Sequence, residues 1–241
     1  MKKALVIGAT SGIGKELAVL LSNNGYKIAI SGRRENLLNE IKNASKGFII
    51  SEVMDLTDIN SIPTKIERII SNLEGLDLVV ISSGCGELNY DLEFDIEKNT
   101  IDLNVTGFTA AINYIYNYFS MQKQGHIVAI TSVMGLRGSC AAPAYSATKA
   151  YQINYLEAFR QRTFVEKNNI TITDIRPGSV NTNMMKGEGH FWIATPQKAA
   201  KQILHAIKNR NSTKYITKRW RLIGWILKLL PTWLYNRMGK L

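Results

Sequence analysis

The segment KALVIGATSGIGKELAVLLSNNG, residues 3–25, constrains the fold more than any other. A short apolar run ends at Gly8, Gly12 and Gly14 follow, and helical periodicity starts at Ile13. A strand that runs through glycines straight into a helix aims the helix's unpaired N–H groups and its positive dipole end at one spot, which suits a pyrophosphate. Gly8, Thr10, Ser11, Gly12, Ile13 and Gly14 therefore form a candidate phosphate loop. The spacing G-x-x-x-G-x-G differs from the common fingerprint G-x-G-x-x-G. A chain that opens this way is expected to continue as alternating strands and helices, because each parallel strand needs a crossover before the next.

The pattern continues as expected. YKIAISGRR, GFIISEVMD, DLVVISSGCG, HIVAIT and ITITDIRPGSV read as further strands, separated by helical stretches such as ENLLNEIKNAS and IPTKIERIISNLEGL. Residues 94–122 read as a helix interrupted near IDLNVTG, and YQINYLEAFRQRTFVEKNN as a long amphipathic helix. With 241 residues, 45% of them hydrophobic, one domain with a sizeable core is expected. The fold class is α/β: a single Rossmann-type doubly wound parallel sheet of about seven strands over residues 1–217, helices on both faces, then an amphipathic helical extension over residues 218–241.

Residues 126–150, HIVAITSVMGLRGSCAAPAYSATKA, carry the chemistry. Ser132 lies at a strand end, where ligand sites of open α/β sheets collect. Tyr145 and Lys149 are four residues apart and share one helix face. A phenol titrates near 10 when free, and a nearby ammonium favours the phenolate, so this group suits proton exchange with an alcohol or carbonyl. Dinucleotide folds that prefer NAD place an acid about twenty residues past the loop. Gly32, Arg33 and Arg34 stand there instead. Nothing repels a 2′-phosphate and a guanidinium is available to bind one, so the expected cofactor is NADP(H).

The glycine loop, Ser132 and the Y-x-x-x-K of Tyr145 and Lys149 together resemble the short-chain dehydrogenase/reductase family, and the resemblance spans residues 4 to about 210. It implies catalytic roles for Asn104, Ser132, Tyr145 and Lys149. Tyr145 would be general acid in ketone reduction and base in alcohol oxidation, with Ser132 on the substrate oxygen. Lys149 would lower the tyrosine pKa and hold the nicotinamide ribose, and Asn104, in N-x-x-G with Gly107, would hold a relay water through its main chain. Arg33 would be the 2′-phosphate ligand, Asp55 and Leu56 the adenine contacts, and Ser83 and Gly84 the floor under the cofactor. Pro177, Gly178, Val180 and Thr182 would meet the nicotinamide carboxamide. Two departures stand out: Ile7 replaces the family's threonine, and Ile81-Ser82-Ser83-Gly84 replaces Asn-Asn-Ala-Gly. The resemblance also implies a homodimer or homotetramer built on helices 104–122 and 145–168. A non-catalytic cofactor-binding sensor or scaffold is the alternative, but such relatives usually lose the tyrosine or the lysine.

Charge divides the chain. Residues 1–188 hold 19 Lys+Arg and all 19 Asp+Glu, whereas residues 189–241 carry 11 Lys+Arg and no acid. No helix-turn-helix, zinc or RNP pattern accompanies the bases, so nucleic acid is not an expected partner. His126, His190 and His205 have no ligand spacing for a metal, and Cys85 and Cys140 suit a reducing cytoplasm. The apolar start reaches glycines too soon for a signal peptide. By the same resemblance, the segment 183–194 falls where the family places its substrate loop. Met184, Met185, Phe191 and Trp192 would then offer an apolar wall for a lipophilic substrate, ordinary core packing being the other reading for two of the four. In KRWRLIGWILKLLPTWLYNRMGKL, Trp220, Ile223, Leu227 and Leu230 follow helical spacing, and Leu222, Trp225, Ile226 and Leu229 widen the apolar surface. The run is too short to span a bilayer. It reads either as an interfacial foot on an acidic cytoplasmic leaflet, or as a helix covering the substrate cleft or sealing a subunit seam.

Overall fold

Alternation along each central strand decides which helix layer a side chain meets. Ala4, Val6, Ile28, Ile30, Leu78, Val80, Val128, Ile130 and Ile175 belong to one core, and Leu5, Ile7, Ala29, Val79, Ile81, Ile127, Ala129 and Ile172 to the other. Both faces are apolar because both are covered, as parallel sheets require.

The computed structural model describes residues 1–45, 47–185 and 191–238. His190 and the centre of the expected substrate segment, residues 186–190, lie outside the described residues, as does the end of the extension, residues 239–241. The first half runs β1 (Lys3–Ile7), α1 (Gly12–Asn23), β2 (Lys27–Gly32), α2 (Glu35–Ala44), β3 (Ile49–Val53), α3 (Ile62–Leu73) and β4 (Leu78–Ile81). The second runs α4 (Phe94–Ile101), α5 (Phe108–Gln122), β5 (Gln124–Ile130), α6 (Pro143–Val165), β6 (Asn169–Pro177), α7 (Pro196–Lys208), β7 (Thr213–Ile216), α8 (Arg219–Leu229) and α9 (Thr232–Met238). The seven-stranded sheet has the order β3-β2-β1-β4-β5-β6-β7, with every pair parallel. Chain direction across the sheet reverses between β1 and β4, and the crevice there is where open α/β sheets bind ligands. The expected doubly wound fold is the observed one.

Helix α1 packs on one face with α2 and α7 through Leu17, Leu38, Ile203 and Ile207. On the other face, α3, α5 and α6 contribute Ile66, Ile69, Phe108, Phe119 and Leu156. A π-helical stretch, Asp102–Gly107, joins α4 to α5 and is the interruption expected near IDLNVTG. Gly107 lets it press against β3's exit, for a Cβ there would sit 2.2 Å from the Leu56 carbonyl oxygen.

The extension docks on the sheet-and-helix body with one face only. Trp220 and Gly224 of α8 are buried and Ile223 and Leu227 half-buried, whereas Leu222, Trp225, Ile226 and Leu229 are exposed. Arg137 donates to the carbonyls of Leu227 and Leu230, at 3.2 and 3.0 Å, capping the C-terminal end of α8. Its guanidinium also lies over the Tyr235 ring of α9, 4.4 Å from the centroid. No helix among the described residues is long and apolar enough to cross a membrane.

His126, buried at the start of β5, gives the fold a pH dependence. Thr173 donates its hydroxyl to the Asn211 carbonyl at 2.6 Å, so it accepts from His126 Nε2 at 2.8 Å, which fixes the neutral tautomer. Burial, helped by Arg210 and Lys2, pushes the imidazole pKa from 6.5 down to about 4. Between those values the unfolded chain binds a proton that the folded chain refuses, so stability falls as pH drops through that window. The full depression corresponds to roughly 3 kcal/mol. Denaturant titrations from pH 7 to pH 4 are expected to show this loss, and His126→Asn is expected to flatten it.

Candidate active site

The glycine loop brings β1 against β4. Gly8 has φ of +85°, and a Cβ there would lie 2.4 Å from the Ser83 nitrogen. A Cβ at Gly14 would lie 2.2 Å from the Gly8 carbonyl oxygen. Only glycines permit such close packing, and it leaves the first turn of α1, from Gly12 and Ile13, facing the switch-point crevice. Gly12 has φ of +56° and meets the Thr182 methyl group, so the loop also touches the Val180–Thr182 segment. Val180 itself is buried and bridges Ala194, which clasps the two ends of the substrate segment.

Arg33 and Arg34 leave β2 in different directions. Arg34 donates to the hydroxyls of Thr10 and Ser11, which holds its guanidinium on the rim of the glycine loop. Arg33 reaches Asp55, with 3.8 Å between Nη1 and Oδ2. Asp55 also accepts from the Thr57 amide and hydroxyl, each at 2.9 Å, and so caps a turn. Leu56 is buried beneath it. The hydroxyls of Ser31 and Ser83 are buried without a hydrogen-bond partner among the described residues. Both stand at strand ends beside the loop. Unpaired buried hydroxyls, a glycine cradle and two guanidiniums are what a phosphorylated dinucleotide would satisfy. The residues present fit that group.

Ser132, Tyr145, Lys149 and Asn104 meet at the same sheet edge. Ser132 caps a 3₁₀ turn, Val133–Leu136, by accepting from the Met134 amide at 3.1 Å. That turn reaches α6 through Gly135, where a Cβ would meet the Lys149 backbone at 2.6 Å. Tyr145, in the first turn of α6, faces Ser132, whose hydroxyl is near enough to favour its ionised form. Gly86 lies flat beneath the tyrosine: a Cβ there would stand 2.2 Å from the ring. Lys149 Nζ lies 5.7 Å from the Tyr145 ring centre and donates to the Ile130 carbonyl at 3.2 Å and to Gln152 Oε1 at 2.9 Å.

The electrostatics differ from the expectation that the ammonium lowers the phenol. Burial pushes the Tyr145 pKa above 10, and it outweighs the Ser132 hydroxyl, which lowers it. Burial likewise takes Lys149 from 10.5 down to about 8, against the opposing pull of Cys85 and Asp174. In the protein alone, desolvation governs both groups.

Asn104 is completely buried in the π-helical stretch. Its Nδ2 donates to the Cys85 carbonyl at 2.7 Å and to Thr148 Oγ1 at 3.1 Å, and its Oδ1 accepts from the Cys85 amide at 3.0 Å. Cys85 thus borders the site. The Asn104 carbonyl, expected to hold a water, accepts from Gln152 Nε2 at 2.9 Å. Gln152 therefore joins Asn104 to Lys149 directly through one side-chain amide.

Pro177 and Gly178 end β6 under α8. A Cβ at Gly178 would fall within 2.0–2.2 Å of the Trp220 indole. Phe191 stacks on Trp220 with centroids 4.9 Å apart, and Trp192 meets the same indole edge-on at 6.1 Å. The aromatics expected to line the substrate wall therefore rest on the first turn of the extension. Met184 remains partly exposed.

Gly86, Gly135 and Gln152 shape the site and were not among the residues expected from the sequence. Gly86 had a signal, two residues past Gly84 in SSGCG. Gln152 acts across the fold and carries no local pattern, and Trp220 stood in the sequence only as part of the apolar stripe of the extension.

The chain matches the short chain dehydrogenase model over residues 2–191. An uncharacterized oxidoreductase of Myxococcus xanthus is 31% identical over 188 residues, covering 76% of this chain and 74% of its own. Human dehydrogenase/reductase SDR family member 7 is 26% identical over 261 residues, 98% of this chain and 77% of its own. The fold is shared with an actinorhodin polyketide ketoreductase variant solved with NADPH, at a TM-score of 0.78 and 21% identity, covering 89% of this chain and 95% of that one. A short chain dehydrogenase from Bacillus anthracis superposes with a TM-score of 0.79 at 19% identity, covering 89% of this chain and 94% of that one. The site and the fold define a dehydrogenase/reductase of the Rossmann type. The chain belongs to the short-chain dehydrogenase/reductase family and is an oxidoreductase of that family.

The Gln152 bridge makes a local prediction. Its Oε1 accepts from the Lys149 ammonium and so favours the charged form. Gln152→Leu is expected to lower the Lys149 pKa further below about 8, read by lysine ¹⁵N NMR titration, with the fold unchanged by circular dichroism.

Proposed function

We propose that the protein is an NADP(H)-dependent oxidoreductase interconverting a lipophilic ketone or aldehyde and its alcohol. The observation that carries this reading is Tyr145 facing Ser132 at the sheet edge, with the Lys149 ammonium 5.7 Å from its ring centre. The cofactor would lie along Gly8–Gly14, with Arg33 and Arg34 on its 2′-phosphate, Asp55 and Leu56 by the adenine, and Ser83 and Gly84 beneath. Pro177, Gly178, Val180 and Thr182 would line its nicotinamide end. When bound, it supplies or accepts a hydride.

This chain's residues handle the proton. Ser132 and Tyr145 would both donate to a substrate carbonyl oxygen, and Tyr145 would release its proton as that oxygen gains charge. A phenol with a raised pKa is protonated at neutral pH, which supports the acid role and hence the reductive direction. With a pKa of about 8, Lys149 is mostly an ammonium at pH 7 and can stabilise the tyrosinate left behind. Asn104 and Gln152 would hold that ammonium in place. A homodimer or homotetramer through α5 and α6 belongs to the same reading.

The substrate's lipophilicity is supported by Met184, Phe191 and Trp192 at the mouth. The extension supports contact with an acidic membrane surface, at the inner face if the chain is cytoplasmic. Its outer side presents Trp225 and Leu229 at 60% and 80% exposure amid Lys and Arg.

Two measurements test the chemistry. Tyr145→Phe is expected to cost about 10²–10⁴-fold in turnover of lipophilic ketones while NADPH binding, read by nucleotide fluorescence, persists. Retained turnover would remove the tyrosine from the mechanism, and absence of turnover in the parent protein would favour a cofactor-binding sensor. Arg33→Ala with Arg34→Ala is expected to raise the KM for NADPH at least about tenfold and to leave that for NADH unchanged.

A further inference from the structure

Outside the catalytic crevice, a second cavity of about 590 Å³ lies between α7, β7 and the start of α8. Lys198, Lys201, His205, Lys214, Lys218 and Arg219 line it, and no Asp or Glu is among its described lining residues. The sequence has no Asp or Glu after Glu188. Four lysines and an arginine around one hollow repel each other, and an anion entering it relieves that repulsion. Gln202 lines the same cavity, and its Oε1 is buried without a hydrogen-bond partner among the described residues. A side-chain amide set among cations suits a ligand that carries a hydroxyl beside its phosphate. The volume lies in the range of small-molecule sites, about 300–1,000 Å³.

The cavity is continuous with the apolar outer face of α8. At 3.6 residues per turn, Lys218 and Arg219 point to the same side of the helix as Leu222, Trp225, Ile226 and Leu229. Trp220 and Gly224 point the opposite way and are buried. Arg219 lies over the Trp192 ring, 5.7 Å from its centroid, which fixes the cavity's rim to the mouth of the substrate segment. A basic hollow that opens onto exposed Leu and Trp matches a molecule with an anionic head and apolar chains.

We propose that this cavity binds the phosphate and hydroxyl groups of an anionic glycerophospholipid headgroup, while the outer face of α8 and Trp233 of α9 take the adjoining acyl region. The inference rests on the reading of the extension as a membrane foot and gives that foot a specific headgroup site. A free phosphate ester shares the head chemistry, but only a lipid uses the apolar face beside it.

The test is co-sedimentation of the full chain with phosphatidylcholine vesicles, with and without phosphatidylglycerol. The parent protein is expected to bind only the acidic vesicles. Lys201→Gln with Lys214→Gln, both in the cavity and off α8, is expected to weaken that binding about 25-fold, at roughly fivefold per lysine near an anionic surface. Lys42→Gln with Lys167→Gln, which removes the same charge elsewhere on the surface, is expected to leave it nearly unchanged. If both double variants bind like the parent, or lose binding equally, the headgroup site is overturned and the foot stands. If the parent sediments with neither vesicle, the foot itself fails and the inference with it. Thermal melts in inorganic phosphate separate the remaining source: stabilisation of the parent but not of the cavity variant, without vesicle binding, would assign the cavity to a soluble phosphate and overturn the lipid.

Discussion

The buried amide of Asn104 is the constraint on which the catalytic edge depends. Its side chain closes both hydrogen bonds with Cys85 and reaches Thr148 on α6, so one residue fixes the β4 exit against the catalytic helix. Its main-chain oxygen, in the π-wound stretch, accepts from Gln152. Lys149 then hangs between Gln152 and the end of β5. Every polar group in this chain of contacts has a partner, which is the condition under which a buried network rigidifies a site. An unpaired member would cost about 1–3 kcal/mol.

Close packing and electrostatics work against each other at this edge. Gly84 and Gly86 let backbone approach Asn104, Lys149 and the tyrosine ring. The resulting desolvation moves Tyr145 up and Lys149 down, so that proton transfer from phenol to ammonium's conjugate amine is disfavoured in the protein alone. The pair is therefore poised as a neutral phenol beside a weakly held ammonium. A bound anionic cofactor would oppose the desolvation of Lys149, since negative charge nearby favours its protonated form.

Most of the architecture was legible because its signals are local. The β1–α1 glycine loop, the break at IDLNVTG and the Ser132–Tyr145–Lys149 spacing each sit within one short stretch. β7 was not, since Thr213–Ile216 is a short TKYI run with no long apolar signature. Its strand character comes from pairing with β6, Asp174 to Thr213 through Pro177 to Ile216. Gln152 was hidden for a related reason. It lies one turn beyond Lys149 in an ordinary helical context, and its weight comes from Asn104, 48 residues away in sequence. The direction of the Tyr145 shift was also beyond reach, because burial cannot be weighed against a neighbouring charge before the packing is known.

In the extension, the two apolar stripes seen in the sequence part between the body and the outside. Trp220, Ile223, Leu227 and Leu230 turn toward the body, and Leu222, Trp225, Ile226 and Leu229 turn outward. The inner side grips the catalytic edge at two places: Trp220 fills the space over Gly178, and the carbonyls of Leu227 and Leu230 take the Arg137 guanidinium from the loop between Ser132 and Tyr145. Any surface that orients the outer face therefore orients the mouth of the crevice with it. Packing on the body and presenting an apolar face outward are then not alternatives, because the side chains that pack leave Leu222, Trp225, Ile226 and Leu229 pointing away from the protein.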